Sequence, residues 1–242
     1  MNSYISLMFD AARPVRHLEY NYARYSEETM MNLMSINIGK EQTLVRPGKT
    51  EQTGIFKQPV NGPVQVTWQG LPGDFIGDRK HHGGADQAIY VYGWMDYLWW
   101  QEKLGRDMQP GLFGENLTIA GLACAHLAIG DALQIGEVVL QVTAPRIPCG
   151  TLAGRMNLPE FVKLFRDAER PGAYCRVLRE GVIETGQMVR LEHYSEPTVS
   201  LLEVMRDYYE PDLSEAAIRR FLSAPLAFRV KKKKEEQLKN LS

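Results

Sequence analysis

The sequence has little of three features that would narrow its function at once: cysteine, net charge and long apolar runs. Three of its 242 residues are cysteines, an odd number at wide spacing, which argues against a disulfide scaffold and favours a reducing compartment. The formal net charge is -1, whereas a nucleic-acid-binding chain needs a basic surface to neutralise phosphates. No apolar run is long enough to span a bilayer, and the stretch MNSYISLMFDAARPVRHLEY lacks the apolar core of a secretory signal. We therefore expect a cytoplasmic globular protein whose partners are neither nucleic acid nor membrane.

Strand and helix patterns divide the chain into three segments. Residues 1–33 carry no such pattern and end in a group of methionines at positions 30–34, so we expect translation to start at one of these. The upstream stretch is then a disordered or mis-annotated extension. Short strand patterns dominate residues 34–194, and residues 195–242 have the pattern of three short helices.

The middle segment has the composition of a barrel rather than of a layered α/β sheet. Stretches such as PVQVTWQG, QAIYVY, EVVLQVTAP and AYCRVLREG alternate with period two and are separated by Gly and Asp turns. Two helical stretches interrupt them, WMDYLWWQEKLG, which ends at Gly105, and NLPEFVKLFRDA. This order predicts a mainly β fold: a mixed-sheet β-barrel with a few helices, followed by a small all-α C-terminal domain.

The C-terminal segment contains one cap signal and one charge run. Asp212 or Ser214 is positioned to cap the second helix. The run KKKKEE could contact nucleic acid, but a solvated terminal helix with charge pairs four residues apart is the usual structure of such a run.

The stretch VVLQVTAPRIPCGTLAGRM places a single thiol, Cys149, where a strand ends and a helix begins. Pro148 restricts the backbone before the cysteine, and Arg146 is close enough in sequence to favour the thiolate. A free cysteine is otherwise most often a small buried apolar residue, and this alternative stays open for Cys149. Cys124 and Cys175 lie in apolar or strand-like surroundings and are expected to be packing residues.

The stretch GDRKHHGGADQAIYVY is a candidate anion-binding loop. Gly83 and Gly84 leave backbone amides free to face an anion, and Arg79, Lys80 and His82 add donors and positive charge. The neighbouring His81 could face the ligand instead of His82. A tight turn with histidines bonded to the backbone is the structural alternative.

The stretch FGENLTIAG places Glu115 and Asn116 after a glycine at the entry to a strand. Such a pair either satisfies local turn amides or lines a pocket, and the spacing does not decide between the two.

Together the three stretches offer one soft ligand, several cations and a glycine loop, but no nucleophile–base pair. A thiolate suits a soft or high-valent transition metal and is a poor ligand for magnesium or calcium. Basic loops nearby would suit an anionic organic cofactor that carries such a metal.

The ordered series HHGGADQAIYVY, FGENLTIAGL and IGDALQIGEVVLQVTAPRIPCGTL resembles the MOSC domain family, and in particular its stand-alone bacterial YiiM-like subgroup. The resemblance begins at about Gly54 and continues to the C-terminus. It implies a barrel of the pyruvate-kinase-barrel type with a three-helix domain after it. It also implies binding of molybdenum cofactor (Mo-molybdopterin), which is a pterin with a dithiolene and a phosphate.

The resemblance assigns roles to the residues already singled out. The single cysteine of the family falls on Cys149, which is then the metal ligand and the catalytic residue. The HGG motif falls on His82, Gly83 and Gly84, and the GEN motif includes Glu115 and Asn116; with Arg79, Lys80 and Arg146, these residues form the implied cofactor-binding set. Pyridoxal phosphate belongs to larger relatives and is not expected on this chain.

The function implied by the resemblance is an oxidoreductase that reduces N-hydroxylated compounds, such as hydroxylaminopurine base analogues, to amines as detoxification. Its electrons would come from a separate flavin or haem reductase. The alternative is a carrier that holds a persulfide on Cys149 or transfers sulfur or cofactor without turnover of its own. The sequence allows either a monomer or a homodimer.

Overall fold

The computed structural model describes residues 30–78 and 82–241 of the chain. This part contains twelve β-strands, six α-helices and two short 3₁₀ helices, Ala85–Gln87 and Cys124–His126. The strands are β1 (Met31–Ile38), β2 (Gln42–Arg46), β3 (Lys49–Thr53), β4 (Gln58–Pro59), β5 (Val64–Val66), β6 (Ile89–Gly93), β7 (Leu117–Ala120), β8 (Ala132–Ile135), β9 (Val138–Pro145), β10 (Ala173–Arg179), β11 (Gly181–Ile183) and β12 (Met188–Glu192). The helices are α1 (Trp94–Leu104), α2 (Gly150–Met156), α3 (Phe161–Ala168), α4 (Leu201–Tyr209), α5 (Glu215–Ser223) and α6 (Phe228–Lys239). Within the described ranges, no helix has both the length and the apolar character that a membrane span requires.

Seven strands close into a barrel in the order β1–β12–β8–β9–β10–β6–β7. Neighbouring strands are antiparallel except β6 and β7, which are parallel. The ring closes because β1 pairs with β7 along its length and with β12 at its start, where Met31 lies opposite Val189. The mixed-sheet β-barrel predicted from the sequence is therefore confirmed.

The inside of the barrel is filled with aliphatic side chains. On β9, Val138, Leu140 and Val142 alternate into this core at period two and have no exposed surface. Cys124 and Cys175 are also fully buried in the same cluster, which confirms the prediction that they are packing residues.

The first barrel strand begins three residues before the predicted boundary at Met34. Met31 pairs with β12, and Leu33 is fully buried in the core, so these residues belong to the barrel rather than to an extension. The strand partners of this segment lie more than 80 residues away in the chain, which explains why a local pattern did not reveal it. The remainder of the predicted extension, residues 1–29, lies outside the described residues.

Helices α1 and α3 pack against the outside of the barrel through an aromatic cluster. Helix α1 buries Tyr97 and Trp100 and ends at Gly105, whose φ of 61° supplies the predicted left-handed stop. Helix α3 buries Phe161 and Phe165. The rings of Trp100 and Phe165 stack with centroids 6.0 Å apart. The apolar spacing in both helical stretches therefore corresponds to the faces that are buried.

The C-terminal helices begin with side-chain caps. Ser200 and Glu203 form a reciprocal capping box at the start of α4. Ser214 caps α5 by accepting a hydrogen bond from the amide of Ala217. Of the two candidates for this cap, Ser214 is the one that the structure selects, while Asp212 accepts a bond from the Ser214 amide.

These helices share apolar contacts with the barrel. Val204 of α4 and Phe221 of α5 lie in the same core cluster as the barrel strands, and the amide of Ala227 donates to the carbonyl of Thr143 at 3.0 Å. The lysine run on α6 was expected to be solvated, and this holds for three of its four lysines. Lysines 231–233 are exposed, whereas Lys234 is 1% exposed because it pairs with Asp207 of α4.

Candidate functional site

Cys149 lies at the point where β9 leaves the barrel and α2 begins. It is the N-cap residue of α2, with an extended backbone (φ −134°, ψ 168°), and its carbonyl accepts the amide of Ala153 at 3.2 Å. The segment before it is held in place because the amide of Arg146 donates to the carbonyl of Gly172 at 2.9 Å. Unlike the two core cysteines, Cys149 is only partly buried. The turn therefore presents the thiol at the edge of the barrel.

The surroundings of Cys149 stabilise its thiolate. Burial alone would raise the pKa of this thiol, but a hydrogen bond with the His82 ring and the positive charge of Arg146 outweigh that effect. The pKa of Cys149 falls from 9.0 to about 6. At neutral pH the side chain is therefore mostly an anion, which is the form that acts as a nucleophile or a metal ligand.

Arg146 is the cation nearest to this thiol in the sequence, and it is 4% exposed. Its guanidinium lies over the Tyr90 ring, 4.9 Å from the centroid. Its buried Nε has no hydrogen-bond partner among the described residues. A buried donor of this kind is available to an acceptor on a bound group.

A cavity of about 460 Å³ connects these groups. Its walls come from the β2–β3 ribbon, the loop 74–78, the segment 145–151 and single residues of several other elements. The predicted residues that line it are His82, Gly83, Asn116, Arg146 and Cys149. The fold thus brings together residues from three motifs that are far apart in the chain.

The glycine pair lies between this cavity and a smaller one. Gly83 and Gly84 have φ angles of 78° and 89°, a conformation that disfavours other residues. Gly83 lines the main cavity and also a second cavity of about 240 Å³, which Gly84 lines as well, beside Asp86 and Phe228. The role of both glycines in binding one ligand stays a prediction. Arg79, Lys80 and His81 lie outside the described residues.

Glu115 lies behind the cavity wall, whereas Asn116 lines the cavity. Oε1 of Glu115 accepts hydrogen bonds from the Tyr97 hydroxyl, the Gly111 amide and the Thr118 hydroxyl, and Oε2 has no partner within residues 30–78 and 82–241. Burial raises the pKa of this carboxyl. Glu115 therefore supports the wall from behind without lining the cavity, and its contact with a ligand stays a prediction.

Asn116 lines the cavity and links two parts of its wall. Its Oδ1 accepts the amide of Tyr90 at 3.0 Å, and its Nδ2 donates to Oδ2 of Asp74 at 2.9 Å. Asp74 forms an ion pair with Lys57, which is 7% exposed and also lines the cavity. Burial lowers the pKa of Lys57. Sequence reasoning missed this pair, although a lysine inside the apolar stretch GIFKQPV was a usable signal.

The β2–β3 ribbon adds a second charged group that sequence reasoning missed. Glu51 accepts from Arg46 Nε at 3.0 Å, from Lys49 Nζ at 2.5 Å and from Thr151 Oγ1 at 2.8 Å. Burial opposes ionisation of Glu51, but the bonds from these partners lower its pKa to about 2. A Cβ at Gly150 would lie 2.8 Å from Arg46 Nη1, so the glycine makes room for the guanidinium. The ribbon is thereby tied to the turn that carries Cys149.

Comparison with known proteins identifies relatives that are similar in sequence. Residues 78–190 match the MOSC domain. The uncharacterized protein YflK of Bacillus subtilis is 38% identical over 192 residues, which is 79% of this chain and 87% of YflK. A protein of Gibberella moniliformis named "Reductase" is 30% identical over 198 residues; the match covers 76% of this chain and 35% of that protein.

A solved structure of a related protein has a similar fold. The crystal structure of YiiM from Geobacillus stearothermophilus superposes with a TM-score of 0.71 at 32% identity and covers 86% of this chain and 99% of that one. With its seven-stranded barrel, its matched domain and these relatives, the chain belongs to the MOSC domain family.

Proposed function

We propose that this protein is an oxidoreductase that binds molybdenum cofactor and reduces N-hydroxylated compounds to the corresponding amines. The observation that carries the proposal is the environment of Cys149. Its thiol has a pKa of about 6 and lies in the wall of a cavity of about 460 Å³ that also contains buried cations. This reading rests on the site, and the family supports it because MOSC domains are associated with molybdenum cofactor.

The residues present fit the cofactor. A thiolate such as that of Cys149 is a good ligand for a soft or high-valent transition metal. The unpartnered Nε of Arg146 is a buried donor available to an anionic or polar cofactor atom. Arg146 would hold the anionic part of the group, and Cys149 would hold the metal. When bound, the cofactor supplies a redox-active metal through which two electrons reach the substrate.

The protein's own residues then have two tasks. His82 and Arg146 keep Cys149 ionised and oriented. Lys57, fixed by Asp74, places a positive group in the cavity wall where negative charge develops on the substrate oxygen. The overall change consumes two electrons and two protons per N–OH group and releases one water molecule.

The electrons have to come from outside the chain in this proposal. We assign them to a separate flavin or haem reductase, which delivers them to the bound cofactor. The relative named "Reductase" is consistent with redox chemistry in the family, although the match covers only 35% of that protein. The substrates we favour are hydroxylaminopurine-type base analogues.

The test is to produce the protein in a host with molybdopterin synthesis and in one without it, and to measure bound molybdenum and turnover with a generic reductase. We expect molybdenum and N-hydroxylamine reduction only in the first preparation. Cys149→Ser should lower turnover by about a hundredfold or more, because it removes a reacting-centre ligand. Cys175→Ala is the control for the loss of a thiol that does not face the cavity. Full activity of Cys149→Ser would overturn the proposed ligand role.

The same preparations distinguish a carrier from an enzyme. A protein that shows no turnover with any reductase, but releases a sulfane sulfur or the cofactor to an acceptor, would be a sulfur or cofactor carrier with a persulfide on Cys149. A thiol with a lowered pKa would serve that chemistry as well.

A further inference from the structure

The cavity has one aromatic wall residue from the C-terminal helices, Tyr208 of α4. The other described residues that line the cavity all lie between Arg46 and Tyr174 in the chain. Tyr208 is 51% exposed, whereas Val204 and Met205 of the same helix are buried. The helix therefore buries Val204 and Met205 and leaves the half-exposed Tyr208 ring in the wall of the cavity.

Neighbouring side chains hold this ring. The ammonium of Lys233 on α6 lies over the Tyr208 ring, 5.1 Å from its centroid. Tyr209 meets the ring at 85° with centroids 5.1 Å apart, and Tyr209 is itself covered by Arg166 at 4.5 Å. An oriented ring with exposed surface is a preorganised stacking platform, because little side-chain freedom is lost when a ligand binds.

Helix α6, which carries Lys233, is bonded to the segment that follows the glycine pair. The amide of Phe228 donates to Oδ2 of Asp86 at 2.7 Å, and Nη1 of Arg229 donates to Oε1 of Gln87 at 2.8 Å. Gln87 also lines the main cavity. These bonds fix α6, and through Lys233 the Tyr208 ring, relative to the loop that carries His82.

We infer that Tyr208 is a specificity-determining residue, on which the planar heteroaromatic part of the substrate stacks while the N-hydroxyl group faces Cys149. The inference rests on the proposed function, since it concerns the substrate of the same site. Aromatic side chains bind planar bases through their faces largely independently of base identity. Tyr208 would therefore select flat N-hydroxylated compounds over aliphatic ones and would not discriminate sharply among bases.

The experiment compares Tyr208→Ala and Tyr208→Phe with wild type on two substrates, 6-hydroxylaminopurine and N-methylhydroxylamine. Tyr208→Ala should lower kcat/KM for the purine by about 5- to 150-fold, mostly through KM, because base stacking on an aromatic side chain has that value. Tyr208→Phe should stay within about threefold, and both variants should reduce N-methylhydroxylamine at the wild-type rate. Trp68→Ala is the matched control, because Trp68 is also 51% exposed but does not line the cavity.

A binding measurement separates this inference from the proposed function. Adenine, which has no N–OH group, is titrated calorimetrically into wild type and Tyr208→Ala. We expect weaker binding by the variant even if no preparation shows reductase activity, in which case only the proposed function fails. Equal binding of adenine by the two proteins, or no binding by wild type, would overturn the inference. So would an equal loss of turnover on both substrates.

Discussion

The barrel interior and the cavity beside it use the same residue type in opposite ways. Cys124 and Cys175 lie inside the barrel, where burial raises the pKa of both thiols. Cys149 lies at the cavity, where His82 and Arg146 overcome the effect of burial and lower its pKa to about 6. The covalent chemistry of the three side chains is identical, so the difference comes entirely from what surrounds them.

The comparison shows how one small fold separates stability from chemistry. The interior is apolar and closed, and its residues contribute by excluding water. The cavity wall contains buried charged groups such as Lys57, Asp74 and Arg146, which burial penalises unless they are paired. A wall of that kind persists because the closed barrel behind it provides the stability.

The largest expected effect sharpens this separation. Leu140 on β9 is fully buried in the barrel, so Leu140→Ala should lower the free energy of unfolding by about 2–5 kcal/mol. The matched control is Leu178→Ala on the neighbouring β10, because Leu178 is 46% exposed. Urea unfolding of both variants measures the difference. A shift in the pH dependence of Cys149 reactivity in Leu140→Ala would show that the two regions are not independent.

The second expected effect is a selective reaction of one thiol. At neutral pH a thiol with a pKa of about 6 is mostly ionised, whereas one with the ordinary pKa of 9.0 is about 1% ionised. Iodoacetamide should therefore modify Cys149 at least about a hundredfold faster than Cys124 or Cys175, which react only after the barrel opens. Peptide mass spectrometry after timed quenching measures the three rates. Cys149→Ser should take up no label under native conditions.

The pH profile of that reaction tests its cause. The rate should rise with a midpoint near pH 6 in wild type. His82→Ala removes the hydrogen bond that lowers the pKa most, so the midpoint should move to higher pH. An unchanged midpoint in His82→Ala would assign the lowered pKa to Arg146 and the backbone amide of Leu152.

The smallest expected effect concerns the carboxyl behind the wall. Burial raises the pKa of Glu115 above its ordinary 4.5, so the folded protein binds that proton more tightly than the unfolded chain. The resulting stability is present below the unfolded pKa and is lost as pH rises through the folded pKa. Glu115→Gln should remove this loss. We expect the pH-dependent part of the free energy of unfolding to change by roughly 1 kcal/mol, which is the size of one buried hydrogen bond. Urea unfolding in weakly acidic and neutral buffer measures it.

The control for this variant is Glu102→Gln on the exposed side of α1. It should leave the dependence of unfolding free energy on pH as in wild type. An identical dependence in Glu115→Gln and wild type would contradict the pKa direction given for Glu115.

The fold could be predicted where the pattern is local. Period-two alternation identified β9 and β10, and helical spacing together with Gly105 identified α1, because each pattern reports on a few neighbouring residues. The β2–β3 ribbon was not predicted, since its strands Gln42–Arg46 and Lys49–Thr53 are mostly polar and bury little. The start of β1 was placed late because its partners are distant in the chain.

The site could be predicted in part for the same reason. Cys149 and Arg146 carry a local signal, because the cysteine follows a proline and lies close to an arginine in the sequence. Gly83 carries another, because it belongs to a glycine pair in a basic loop. Lys57 carries a weaker one, a lysine inside the apolar stretch GIFKQPV, and Tyr208 carries none that distinguishes it from other helix residues. Only their positions in the folded chain make them part of the cavity.

The sequence by itself determined the type of fold and the one thiol with unusual neighbours, because both depend on residues close together in the chain. The tertiary structure alone decided which residues meet. Hydrogen bonds of the segment before β7 hold Glu115 behind the wall and Asn116 in it, and the fold brings His82 within hydrogen-bonding reach of Cys149. The reactivity of a side chain depends on its distances to charged groups and hydrogen-bond donors. In this protein the groups that act on Cys149 include residues far from it in the sequence, which no local pattern connects.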